Sequence, residues 1–296
     1  MTSSVVPTDE LLELACRLAK EAGDLALIGR RRLDSSALGT ATKSTATDLV
    51  TDLDRAAERH VVDGVRAARP DDAIVGEEGT DRAGTSGLSW FIDPIDGTTN
   101  FVYDVPAWST SVAAADAAGA VVGAVYVPAI GELFAATRGG GATLNGEPIA
   151  CSGLADLSRA LVATGFSYRP ERRKEQAAVV EQLIGEVRDI RRLGSAALDL
   201  CYVAAGRFDA YFETGLNAWD MAAGELIARE AGCRVGNFAG GPPVPDEVLA
   251  ATPRIFDGLS KLLSASVSES KGNRRPSGSE FGHHGARGDT NPGRRG

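Results

Sequence analysis

Histidine is scarce. The 296 residues contain three: His60, His283 and His284. Outside the C-terminal tail only His60 is left for an imidazole base, and it lies between Arg59 and Val61 in a helix-patterned stretch, where a surface position is expected. Cysteine is sparse as well. Cys16, Cys151, Cys201 and Cys233 are far apart and form no Cys-x-x-Cys pair, which excludes zinc ribbons and thioredoxin-like sites. Four cysteines in a chain of this size need no disulfide framework, so a reducing cytoplasm is the expected compartment. No stretch approaches the roughly 18–20 apolar residues of a membrane span. Met1–Glu10 has neither a basic segment nor an apolar run, so no signal peptide is expected. Positive charge is short too: 31 Lys and Arg face 40 Asp and Glu, a net −9. Such a chain has no general attraction for nucleic acid or an anionic membrane, and any phosphate site must bring its own positive charge. Gly-x-Ser-x-Gly and His-Glu-x-x-His are absent, so serine hydrolases and zincins lack support.

What is present is ordinary globular material. Hydrophobic residues make up 43% of the chain, which excludes wholesale disorder. Residues 1–263 read as one domain. Ser264–Gly296 reads as a disordered basic tail rich in Gly and Ser, with a net +3 and one aromatic, Phe281. The apolar spacing predicts helices over Asp9–Arg32, Asp52–Ala68, Ala196–Ala205, Asp220–Ala231 and Pro253–Leu263. Strands are predicted at Ala73–Val75, Trp90–Ile92, Ser111–Ala115, Val121–Val127, Leu133–Ala136, Asp209–Phe212 and Val248–Ala251. Helices and strands come in blocks, which suggests stacked layers over a single doubly wound sheet.

The strongest chemical signal is Asp93-Pro94-Ile95-Asp96-Gly97-Thr98 at the end of an apolar strand. Pro94 fixes one φ between two carboxylates, and Gly97 permits a bend whose N–H groups, at Gly97 and Thr98, can hold an anion. Carboxylates beside an anion hole repel its ligand unless cations lie between them, and oxygen-only donors point to Mg²⁺. Taken alone, the segment fits an ordinary Asp-rich turn equally well. Glu77 and Glu78 after a second strand, and Asp220 at a helix start, bring carboxylates to the ends of three separate elements. Three decoys weigh less. Cys201-x5-Arg207 has an apolar, helical interior and not a Gly-rich phosphate loop, so Cys201 is read as a core residue. Asp52-x-Asp54 mimics a phosphoryl-accepting pair but starts a helix. Gly139–Gly141 belongs to a hairpin region.

These motifs resemble the inositol monophosphatase family of Mg²⁺-dependent, lithium-inhibited phosphatases. The matching segments are Gly76-Glu77-Glu78, Asp93 to Phe101, Trp219-Asp220-x-Ala222-Ala223-Gly224, and Lys43-Ser44-x-x-x-Asp48-x-Val50-Thr51-x-x-Asp54, in order from about Leu11 to Leu263. The resemblance implies an α-β-α-β-α sandwich, α+β in class, and a homodimer. It implies two or three Mg²⁺ held by Glu77, Asp93, the Ile95 carbonyl, Asp96 and Asp220. It implies phosphate held by the N–H groups of Gly97 and Thr98, and water oriented by the Thr98 hydroxyl paired with Asp54. Substrate hydroxyls would meet Glu213 and the Ala196 backbone, with Asp96 and Asp220 also facing the substrate. The expected reaction is hydrolysis of inositol monophosphate, or a similar small polyol phosphate, by direct attack of water with no phosphoenzyme. Histidinol phosphate, NADP or another small phosphate ester is the alternative within the family. A scaffold or regulatory partner of RNA-processing or transcription machinery is the alternative of another class.

Overall fold

A computed structural model describes residues 8–32 and 43–272, with side chains at 43–50 and 267–272 outside the description. Two sheets and three helical layers alternate. Helices α1 (Thr8–Arg32) and α2 (Lys43–Ala68) pack on an eight-stranded sheet. Its strands are β1 (Ala73–Gly76), β2 (Asp81–Arg82), β3 (Ser89–Asp96), β4 (Ser109–Asp116), β5 (Gly119–Val127), β6 (Glu132–Thr137), β7 (Gly141–Leu144) and β8 (Glu147–Pro148). Their order is β2-β1-β3-β4-β5-β6-β7-β8. β1 and β3 run parallel, and the other neighbours are antiparallel.

A short helix, α3 (Thr98–Val102), follows β3. The second sheet has the order β10-β9-β11-β13-β12, from β9 (Leu161–Thr164), β10 (Asp189–Arg191), β11 (Ala210–Glu213), β12 (Arg234–Gly236) and β13 (Val248–Ala251). Helices α5 (Ala196–Ala204) and α6 (Ala218–Glu230) fill the space between the sheets. Helices α4 (Pro170–Leu183) and α7 (Pro253–Gly272) cover the outer face of the second. This is the α-β-α-β-α sandwich expected from the sequence.

Strand alternation builds the layers. On β4 and β5, Val112, Ala114, Val122, Ala124 and Tyr126 join the core under α1 and α2. Their neighbours Ala113, Val125 and Val127 join the core under α5 and α6. A strand whose successive side chains point to opposite faces supplies both cores when both faces are covered. Small residues set the spacing: a Cβ on Gly123 would lie 2.9 Å from Ala223 Cα, so α6 rides directly on β5.

Most predicted elements are present, with different ends. α2 starts at Lys43 and not at Asp52. β3 runs on through Asp96. α7 runs to Gly272, so residues 264–272 extend a helix that was expected to end at Leu263, and Ser266 is buried. The rest of the expected tail lies outside the described residues. α4 had no predicted counterpart, because its apolar seam is little more than Val179 and Leu183 among charged residues. Among the described residues no helix is long and apolar enough to cross a membrane.

Candidate active site

The carboxyl ends of the parallel pair β1 and β3 open into a cleft of about 190 Å³, the usual place for a site in such sheets. It is lined by Glu77, Asp93, Ile95, Asp96, Gly97, Thr98, Ala196, Glu213 and Asp220, together with Arg192, Asn217 and the Gly165–Tyr168 segment. All the residues expected at the site line this cleft except Asp54, which is buried in α2 within the field of Glu77.

Asp93 and Asp96 are three residues apart, and regular alternation would send them to opposite faces of the sheet. The pairing of β3 with β4 slips between them: Asp93 faces Ser111, and Asp96 faces Ser109. The extra residue is a bulge, and it turns both carboxylates into the cleft. Thr110 Oγ1 donates to the Pro94 carbonyl at 2.8 Å and holds the bulge. Gly97 then takes φ +98, which a side chain would strain, and α3 begins at once. The first N–H groups of a helix have no acceptor within it, so Thr98 and its neighbours present donors at the cleft.

Each acid has its own support. The Ile95 N–H donates to Asp93 Oδ1 at 3.1 Å. Asp96 accepts from Ser195 Oγ at 2.6 Å, Ala197 N at 2.8 Å and Ala196 N at 3.2 Å, so the start of α5 docks on it. Asp220 closes a capping box at the start of α6 and accepts from Asn217 N at 2.7 Å. Glu213, at the end of β11, accepts from the Tyr211 hydroxyl at 2.7 Å. Glu77 stands at the solvent-facing rim. Its turn is held from behind by buried Glu58, which accepts from Glu78 N at 2.8 Å and Thr80 Oγ1 at 2.6 Å.

The electrostatics are those of crowded acids. Burial, and then Glu77, Asp96 and Asp220, push Asp93 well above the usual carboxylate range. Burial and then Asp220 raise Asp96 to about 7, against the bonds it accepts. Burial raises Glu77 to about 7, and burial raises Asp220. Burial followed by Glu77, Glu78 and Glu58 takes Asp54 to about 8. Asp93 lies within the field of Glu77, Asp96 and Asp220. Among the described residues no three of these acids stand close enough together to form a ready-made metal-ligand group. The donor chemistry nevertheless suits a hard divalent cation: oxygen only, mutually repelling, with Asp54 Oδ1 buried and unpartnered beside them.

Two expected contacts differ. The Thr98 hydroxyl donates to the Ile95 carbonyl at 3.2 Å and not to Asp54. Ala196 lines the cleft, but its N–H is taken by Asp96. The decoys fall away: Cys201 is a fully buried core residue, Asp52 is exposed, and the half-exposed His60 meets Glu21 at 2.9 Å. Gly139 and Gly141 donate their N–H groups to Glu230. Sequence reasoning missed Ser195 and Glu58, which support the acids, and Arg192, the one basic side chain lining the cleft among the described residues. Ser195 had a signal, as an N-cap residue before an apolar helix. Arg192, one of two adjacent arginines, had none.

Fold and cleft define a layered α+β protein with an acid-lined site facing a helix start. The sequence matches the inositol monophosphatase family over residues 8–269, and the chain belongs to that family. It is 42% identical to the inositol-1-monophosphatase of Mycobacterium leprae, over 87% of this chain and 99% of that one. It is also 42% identical to the Nus factor SuhB of Pasteurella multocida, over 88% of this chain and 97% of that one. The solved structure of Mycobacterium tuberculosis SuhB superposes with a TM-score of 0.75 at 41% identity, covering 88% of this chain and 97% of that one. Family membership supports a metal-dependent phosphatase acting on small phosphate substrates.

Proposed function

We propose that the protein is a Mg²⁺-dependent phosphomonoesterase that hydrolyses inositol monophosphate or a closely similar polyol phosphate. The observation that carries this reading is the convergence of Glu77, Asp93, Asp96 and Asp220, from three separate segments, on one cleft beside the Gly97–Thr98 helix start. Glu77, Asp93, Asp96, Asp220 and the Ile95 carbonyl would hold the cations. Magnesium bound there supplies charge neutralisation and Lewis acidity toward water and phosphate.

The chain's own groups do the positioning. The N–H groups of Gly97 and Thr98 grip the phosphate oxygens. The Thr98 hydroxyl, turned from the Ile95 carbonyl, and the unpartnered Asp54 Oδ1 orient the attacking water, and the Asp54 carboxylate receives its proton. The water oxygen bonds to phosphorus in line as the ester P–O bond breaks, and the leaving oxygen takes up a proton from solvent water and departs as the alcohol, with no protein–phosphate bond. Glu213, steadied by Tyr211, accepts a substrate hydroxyl at the far wall. Arg192 stands where a second charge on the substrate would be sensed.

Phosphate release from inositol 1-phosphate by the purified chain, with Mg²⁺ and with EDTA, tests the reading. A panel of small phosphate esters, histidinol phosphate and NADP included, sets the preference. Activity is expected with Mg²⁺ alone; full activity in EDTA, or none at millimolar Mg²⁺, would overturn the proposal. A second reading is favoured by the relatives named Nus factor SuhB: a role as a partner of transcription machinery. The site acids would then be dispensable. An Asp93→Asn chain that keeps such binding while losing hydrolysis separates the two roles.

A further inference from the structure

The four cysteines are all free, yet they are not equivalent. Cys201 is fully buried in α5, and burial pushes its thiol up. Burial raises Cys16, in α1, to about 11. Cys151 is half-buried in the connection that leads from β8 in the first sheet to β9 in the second. Cys233 is buried just past the end of α6.

The backbone brings these last two together. The Cys151 N–H donates to the Ala231 carbonyl at 2.9 Å, and the Cys233 N–H donates to the Ala228 carbonyl at 2.9 Å. Gly232, with φ +87, turns the chain between them, and a Cβ there would lie 3.9 Å from Cys151 Sγ. Cys151 Sγ thus lies against the turn whose next residue is Cys233, and the two thiols influence each other's ionisation. The connection is pinned on its other side: Ser152 Oγ donates to Asp209 at 2.5 Å, and Thr252 Oγ1 donates to the Ser152 carbonyl. Main-chain bonds therefore hold both residues at this junction.

We propose that Cys151 and Cys233 form a thiol-oxidation site, in which hydrogen peroxide or another small peroxide converts the pair to a reversible disulfide. The steps balance. The Cys151 thiolate attacks one peroxide oxygen, the O–O bond breaks, and hydroxide leaves and takes up a proton. Cys151 is now a sulfenic acid, oxidised by two electrons, and the peroxide is reduced. The Cys233 sulfur attacks the Cys151 sulfur, the S–S bond forms, the S–O bond breaks, and the Cys233 proton leaves in a second water. Two thiols and one H₂O₂ give one disulfide and two waters. The roles follow from the environments. The neighbouring Cys233 thiol, opposed by burial, lowers the Cys151 thiol to about 6, which favours it as the attacking thiol. The neighbouring Cys151 and then burial push Cys233 up, which makes it the resolving thiol. The bridge would tie the link between the sheets to the end of α6, the helix that begins at the Asp220 turn.

The full chain, freed of reductant and given stoichiometric hydrogen peroxide, tests this by thiol counting and by mass spectrometry of a non-reducing digest. Free thiols are expected to fall from four to two. A Cys151–Cys233 peptide is expected to appear and to vanish with dithiothreitol, while Cys16 and Cys201 stay reduced. Reaction at Cys16 or Cys201 first, or oxidation of Cys151 to a sulfinic acid without a bridge, overturns the proposal. In Cys233→Ser the sulfenic acid at Cys151 should persist and be trapped by dimedone. Should that variant fail to fold, Cys151→Ser serves: its three remaining thiols should survive the same peroxide dose, and losing them as fast as wild type overturns the proposal.

Discussion

The two ends of β1 and β3 carry buried or crowded carboxylates with opposite fates. At the amino end Asp72, just before β1, is fully buried and satisfied: it accepts from Arg69 at 2.9 and 3.0 Å and from the Trp90 indole at 2.9 Å. Burial alone would raise Asp72, but the bonds from Arg69, Ser86 and Trp90 outweigh it and lower its pKa. At the carboxyl end Glu77, Asp93 and Asp96 follow the same two strands, and what they meet besides hydrogen-bond donors is other acids. The fold completes the electrostatics of one end and leaves the other short of positive charge. A buried group left so is costly unless something outside the chain offsets it. The contrast therefore marks the carboxyl end as the ligand end, and mutation can break or sharpen it.

The largest expected effect is Asp93→Asn. Turnover should fall by at least about a hundredfold, the scale for losing one charge-stabilising group, and calorimetric Mg²⁺ affinity should fall with it. The same variant, free of metal, should melt higher than wild type at pH 8, because a mutually repelling charge is gone; a lower melting temperature would argue against repulsion at the site. Thr98→Ala comes next. A loss of roughly ten- to a hundredfold in kcat with Mg²⁺ affinity kept is expected, and unchanged turnover would remove Thr98 from the mechanism. At the other end Arg69→Met should cost about 2 kcal/mol in denaturant unfolding, below the range for a fully buried pair because Arg69 is partly exposed, with kcat unchanged. The smallest effect is on pH. Asp54 at about 8, and Asp96, Glu77 and Glu213 at about 7, bind protons more tightly folded than unfolded. Their contribution to stability is full below about pH 4 and is lost as pH rises toward about 8. Metal-free melting temperature should fall over that window, and the increment given by Mg²⁺ should grow. A flat profile would mean that the acids are not crowded in the free protein.

Legibility in the sequence followed the range of the interaction. Val248–Ala251 is a fully buried strand with the predicted ends, because an apolar run between turn signals is local information. The acids were legible because Asp-Pro-x-Asp-Gly-Thr needs no partner to be noticed. The Asp93–Asp96 bulge was not legible, since it exists only in the register against β4. Nor was the choice of Ile95 over Asp54 as the Thr98 acceptor, which depends on where α2 settles against the end of β3. α4 escaped notice because its burial comes from packing with α7 and not from its own periodicity.

By itself the chain's composition and order determined which chemistry was favoured: oxygen donors, few histidines, a Gly-Thr turn after a strand, and a layered arrangement of helices and strands. Those are properties of residues and near neighbours, fixed by side-chain chemistry and backbone preference. Tertiary structure alone decided that Ser195 and the start of α5 would dock on Asp96, that Glu58 would brace the Glu77 turn, and that Cys151 would lie against the turn that leads to Cys233. Each of these pairs residues from separate elements, and the packing of sheets and helices sets the distances between them.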